Sequence, residues 1–70
     1  MKVRIVLRDL LNERELSQKD LVEMTGLRPA VVSNLCRGFV ERICIAHIER
    51  IAEALNVTDI NEIIRLEAAA

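Results

Sequence analysis

The sequence predicts a mainly α fold, a compact bundle of five short helices with room for short β-strands at the two ends. Aliphatic side chains dominate, since 51% of the 70 residues are hydrophobic while Phe39 is the one aromatic. Two glycines and one proline leave few places for sharp reversal. Apolar residues recur at helical spacing along the chain, and these features together favour an aliphatic helical bundle over a sheet-built domain.

Lys2 to Leu7 alternates charged with β-branched or aliphatic residues, the pattern of a short strand, and Leu7, Leu10 and Leu11 then switch to helical spacing up to Arg14. Ser17, with Asp20 three residues on, makes a capping-box-like start for a second helix that ends near Thr25. Gly26 follows, where a residue free to take positive φ turns the chain without steric cost. Pro29 suits the first position of a third helix, because its missing N–H removes no bond there. Val32 and Leu35 give that helix an apolar stripe, and Gly38 stops it. Phe39 to Ile45 reads as a loop whose extended piece, Arg42-Ile43-Cys44, is placed to pair with the N-terminal strand. Ile48, Ile51, Ala52 and Leu55 make the clearest amphipathic helix, which Asn56 closes in αL conformation. Thr58 is the expected cap of a fifth helix, with Asp59 and Glu62 in its first turn and Ile60, Ile63 and Ile64 facing inward; Ile63 to Glu67 reads alternatively as extended. Residues 1–67 are expected as one domain too small for a separate catalytic or sensing unit, and Ala68, Ala69 and Ala70 as a tail.

No apolar run approaches the ~18 residues of a membrane span. The opening MKVRIVLRD is broken by charge before a signal core forms, so a cytoplasmic protein with no membrane partner is expected. Cys36 and Cys44 are too few and too far apart for a secreted disulfide framework. With His47 they fit no standard zinc spacing and lack a fourth ligand, so neither a metal nor another cofactor is expected. Cys44, between Ile43 and Ile45, reads as a small buried hydrophobe, and His47 as an exposed helix residue. One histidine, no Ser/His/Asp set, no glycine-rich phosphate loop and no H-E-x-x-H leave no catalytic constellation, which argues against an enzyme.

The segment that carries function is Leu16 to Gly38, LSQKDLVEMTGLRPAVVSNLCRG. It sets two short helices around a tight glycine turn, with apolar residues at Leu21, Val22, Leu27, Val32 and Leu35 to pack them across each other. The third helix then presents one exposed face, and a helix of this width fits the major groove of B-DNA. With IERIAEALNV downstream, the chain from about Leu7 to Ile60 resembles the Cro/CI-type (XRE family) helix-turn-helix transcriptional regulators of phages and bacteria. The resemblance implies a lambda-repressor-like DNA-binding fold. It implies further that Gln18 grips a DNA phosphate together with the free amides of its helix, assisted by Lys19. Arg28, Pro29, Ala30, Ser33, Asn34 and Arg37 would form the DNA-facing surface, with Arg37 nearer the backbone. Asn34 is the leading base reader, because an amide makes a bidentate contact to adenine; Arg28 would take guanine or phosphate, and Ala30 a thymine methyl. The chain departs from the family pattern at Val22, which replaces an alanine at the helix crossing, at Phe39, which replaces a basic residue, and at Cys36 and Cys44, which stand at usually polar positions.

The net charge of -1 and a pI near 5.8 count against nucleic acid. The distribution counts for it: Lys2, Arg4, Arg8, Arg14, Lys19, Arg28, Arg37 and Arg42 all precede the acidic stretch of Glu49, Glu53, Asp59, Glu62 and Glu67, so one basic face is expected. The first expectation is therefore sequence-specific binding of double-stranded DNA by a homodimeric repressor whose helix Pro29–Arg37 reads the major groove, with Ile63, Ile64 and Leu66 as dimer contacts. The alternative is a protein-interaction module, such as an antitoxin or antirepressor subunit, whose protein partner meets an acidic surface of Glu53, Glu62 and Glu67.

Overall fold

A computed structural model describes residues 1–38 and 40–68. Phe39, with the departure noted there, lies outside the described residues, as do Ala69 and Ala70 of the tail. The chain runs β1 (Lys2–Ile5), α1 (Leu7–Glu13), α2 (Gln18–Thr25), α3 (Pro29–Arg37), α4 (Ile45–Leu55), a single 3-10 turn (Ile60–Glu62) and β2 (Ile64–Glu67).

Each helix begins and ends where its local chemistry dictates. In α1, Leu7, Leu10 and Leu11 are buried, and Glu15 takes a φ of 58° so that the Leu16 amide reaches back to the Leu11 carbonyl at 2.9 Å. Helix α2 opens on a complete capping box: the Ser17 hydroxyl accepts from the Asp20 amide (3.0 Å), and the Asp20 carboxylate accepts from the Ser17 amide (2.9 Å). Gly26 ends it at φ 72°, and Gly38 ends α3 at φ 75°, both in the left-handed region that costs a Cβ-bearing residue about 1–2 kcal/mol. Asn56 closes α4 at φ 54°. The carbonyl of Leu55, one of those a helix end leaves without a partner, accepts a hydrogen bond from the Arg14 guanidinium, which ties the end of α1 to the end of α4.

Leu7, Leu21, Val32, Ile51 and Ile63 are the most completely enclosed side chains, and every buried side chain among the described residues is apolar. Helix α2 packs on both α3 and α4, and α1 packs on α3, so α3 is held from behind while its outer face stays free.

The C-terminal segment corrects three expectations. The bundle has four helices, and where a fifth was expected there is one 3-10 turn. Its cap is Asp59 instead of Thr58: the Asp59 carboxylate accepts from both the amide (2.9 Å) and the side-chain amide (3.0 Å) of Asn61. Ile60, expected inside, is 60% exposed. A helix of so few residues cannot offset the entropy of its first turn, and the β-branched pair Ile63-Ile64 continues instead into β2, the extended alternative.

β1 pairs antiparallel with β2, in the register Lys2↔Glu67, Val3↔Leu66, Arg4↔Arg65 and Ile5↔Ile64. Arg42-Ile43-Cys44, expected as the partner of the N-terminal strand, forms no strand; Ile43 is instead half-buried against the core. The observed register fits because it matches side-chain pattern over four residues: Val3, Ile5, Ile64 and Leu66 share one face, and Lys2, Arg4, Arg65 and Glu67 the other.

Candidate nucleic-acid interface

The helix-turn-helix is built from the bottom by a small set of bonds. The Thr25 hydroxyl donates to the Leu21 carbonyl (2.7 Å) and accepts from the Leu27 amide (3.2 Å), while the Gly26 amide donates to the Val22 carbonyl (2.9 Å). Leu27 is thereby turned into the core, and Arg28, at φ -67° and ψ 143°, becomes the extended residue ahead of α3. Pro29 takes the first helical position, as its fixed φ and missing N–H favour.

Helix α3 divides cleanly. Val32, Leu35 and Cys36 are buried, with Val31 half-buried beside them. Pro29, Ala30, Asn34 and Arg37 are exposed and Ser33 is half-buried; residues 30, 33, 34 and 37 follow i, i+3, i+4, i+7 spacing and so lie on one face. Val22, at the helix crossing, is half-buried and packs against the core. Among the described residues no hydrogen bond or ion pair engages the side chains of Arg28, Ser33, Asn34 or Arg37, so the polar groups of this face point to solvent with their bonding capacity open.

Gln18 and Lys19 are exposed on the first turn of α2. The capping box satisfies the Asp20 amide, and Leu21 donates to the Ser17 carbonyl (3.2 Å), which leaves the amides of Gln18 and Lys19 to serve an anion. The box also brings the Asp20 carboxylate to this end of the helix. Its carboxyl is held below the usual range first by the Ser17 amide, then by a side-chain bond with Ser17, with Lys19 adding attraction. A folded-state pKa below the unfolded one contributes stability that is present above the unfolded pKa and is lost as pH falls through the folded value. Asp20→Asn is therefore expected to melt below the wild type at neutral pH, with the gap narrowing on acidification; thermal melts across acid pH check this.

The expected single basic face is only partly realised. Arg4 pairs with Glu67 (3.2 Å) and Asp9 (3.9 Å), and Arg14 is engaged by Leu55, so these two cations serve the fold. Lys19, Arg28, Arg37 and Arg42 remain exposed around the helix-turn-helix and the loop after it.

Sequence reading missed two neighbours of α3. Arg42 and His47 line one shallow depression with Asn34, Val31, Leu35, Val40, Ile43 and Cys44. Their shared lining places the first turn of α4 beside α3, a neighbourhood that spacing within either helix does not report. His47, expected exposed, is half-buried there, and Cys44, expected buried, is exposed as the residue preceding α4. Cys36 is the buried cysteine, and burial pushes its thiol pKa up.

No group of three or more His, Cys, Asp or Glu among the described residues is gathered as a metal site, and no helix among them is long and apolar enough to cross a membrane. Comparison with curated proteins and with solved structures yields no match. Residues 6–69 match the family of the Cro/C1-type HTH DNA-binding domain, which spans α1 through β2 and contains the whole surface just described. A helix-turn-helix of this geometry, covered by that match over nearly its full length, makes this chain a member of the Cro/C1-type HTH DNA-binding domain family.

Proposed function

We propose that this protein regulates transcription as a homodimeric repressor, which binds double-stranded DNA sequence-specifically and reads the major groove with Pro29–Arg37. The observation that carries this reading is the outer face of α3, where Asn34 stands with its amide unengaged between Arg28 and Arg37 on a helix fixed from behind by Val32 and Leu35. Asn34 reads adenine through both amide groups, Ala30 meets a thymine methyl, and Arg28 takes guanine or phosphate. Gln18, Lys19 and the amides at the start of α2 clamp one phosphate; Arg37 holds another at the far end of α3. Pro29 and Ser33 supply contact without a strong donor fork, so base readout concentrates on few positions. Specific interfaces bury on the order of 1,000–2,500 Å² of protein surface, more than one short helix provides, and this favours two copies on an inverted repeat. Selection from a randomised duplex pool at near-physiological salt tests it. The expected product is an inverted repeat with half-sites about one helical turn (~10 bp) apart, and a pool that stays unenriched would refute sequence-specific binding.

Phosphate contacts fix the salt response. In a dimer each basic residue acts twice, and each phosphate neutralised contributes about -0.9 to the slope of log K against log salt. Arg37→Ala is expected to flatten that slope by about 2 while leaving the preferred sequence unchanged. Binding titrations at several salt concentrations measure it.

The exposed Glu53 and Glu67, with the half-buried Glu62, favour a second and compatible role, that of an antitoxin or antirepressor subunit whose acidic surface meets a protein partner. Substituting Gln18 and Asn34 would abolish DNA binding and leave such a partner bound, whereas reversing Glu53 would do the opposite.

A further inference from the structure

The chain holds one histidine, His47, and an imidazole is the side chain whose ordinary change of charge falls between about pH 5 and 8. Where that one group stands is therefore informative. His47 lies half-buried on the first turn of α4 and lines a depression of about 350 Å³ together with Asn34 of α3 and with Arg42 and Cys44 of the loop between the two helices. Val31 and Leu35 give the depression an apolar floor.

The charges around His47 are of one sign. Among the described residues the lining comes from α3, the loop and α4 alone. From α3 it receives no ionisable side chain; the loop contributes the Arg42 guanidinium and the Cys44 thiol. On α4 itself Arg50 stands one turn on from His47, whereas Glu49, two residues on, points to a different side of the helix. Glu41 lines a different cleft, with Arg8 and Asn12 of α1. No carboxylate lines the depression, and among the described residues no hydrogen bond or ion pair engages the His47 side chain. A protonated imidazole here faces cations and finds no anion within its own chain.

Bound DNA supplies that anion. Asn34, which lines the same depression, belongs to the face of α3 assigned to the major groove. A helix fills that groove, so a side chain standing beside the helix meets the wall of the groove, which is the sugar–phosphate strand. We propose that His47 holds a DNA phosphate as an imidazolium, so that binding takes up a proton at this residue and tightens as pH falls. The inference rests on the DNA-binding reading above. The step is a simple one: the neutral ring gains a proton from solvent, and its N–H donates to a phosphate oxygen. Because the phosphate favours the charged ring, the complex keeps the proton to a higher pH than the free protein does. The gain in affinity is complete where both forms are protonated, and it is lost as pH rises through the point at which the complex releases its proton.

Titration of the selected duplex from about pH 8 to about pH 5.5 tests this, with circular dichroism melts to verify folding over the same range. Wild-type affinity is expected to rise about tenfold or more. His47→Gln keeps a hydrogen-bonding side chain without the change of charge and should lose that rise, whereas His47→Lys, charged throughout, should bind at the alkaline end about as tightly as the wild type does at the acid end. The slope of log K against log salt should be steeper for the wild type at acid pH by about 0.9 per copy bound, a change that a packing role for His47 would not produce. Calorimetry of the wild type in buffers of different ionisation enthalpy reads the proton uptake directly and needs no variant. If the wild type takes up no proton on binding, or if His47→Gln keeps the full pH dependence, this inference is wrong while sequence-specific binding stands. If no duplex is selected at any pH, the DNA-binding reading falls and this inference with it.

Discussion

Leu21→Ala is expected to destabilise the domain by about 2–5 kcal/mol, the range for removing a fully enclosed leucine. For a chain of 70 residues the whole stability is roughly 4–10 kcal/mol. One substitution therefore removes a large share of it. The cost falls at the top of the range because Leu21 is 0% exposed, on the helix that packs against both α3 and α4, so no single neighbour can move to fill the space. The same change also withdraws the support behind α3, so DNA binding should fall in step with the folded fraction. Urea denaturation followed by circular dichroism measures the loss, and an unchanged midpoint would contradict the packing. Leu66→Ala, at an exposed position, provides the contrast and should shift the monomer's stability by no more than about 0.5 kcal/mol.

The second large effect is on recognition. Asn34 stands on the exposed face of α3 with its amide free, and a good bidentate contact to a base discriminates by about 1–3 kcal/mol. A dimer would make that contact twice, so Asn34→Ala should cost roughly 2–6 kcal/mol on the selected site, a drop of about thirtyfold to twenty-thousandfold. Binding to unrelated duplex should hardly change, because the phosphate contacts proposed for Gln18, Lys19 and Arg37 do not depend on sequence. Fold stability should be untouched as well, since Asn34 makes no bond within the described residues that the fold needs. Specific and nonspecific affinities measured side by side separate this from a general weakening.

Most of the helix-turn-helix was legible in the sequence because its determinants are local. Ser17 and Asp20 announce a capping box, Gly26 a left-handed turn, Pro29 a helix start and Gly38 a helix end, and each does in the structure what its chemistry requires. The outer face of α3 follows from the same local logic, since burying Val32 and Leu35 leaves residues 30, 34 and 37 outside. What sequence reading misplaced depends on partners distant along the chain. The alternation of Lys2 to Ile5 marks a strand but does not name its mate, and Ile64–Glu67 lies about as far away as the chain allows. Ile63 and Ile64 fit an inward helix face and a strand equally well by hydrophobicity, and only the pairing with β1 decides. The Arg14 bond to Leu55 and the closeness of Arg42 and His47 to Asn34 likewise come from how helices return in space, which spacing within any one helix does not report.

The most direct test of recognition by the outer face of α3 is duplex selection run in parallel on the wild type and on Asn34→Ala. The expected result is an inverted repeat for both, with the variant losing preference at a single base pair of each half-site, an A·T pair in the wild-type consensus, and keeping the rest. A variant that selects the same sequence as the wild type would show that Asn34 does not read bases, and that α3 does not meet DNA in the way described here.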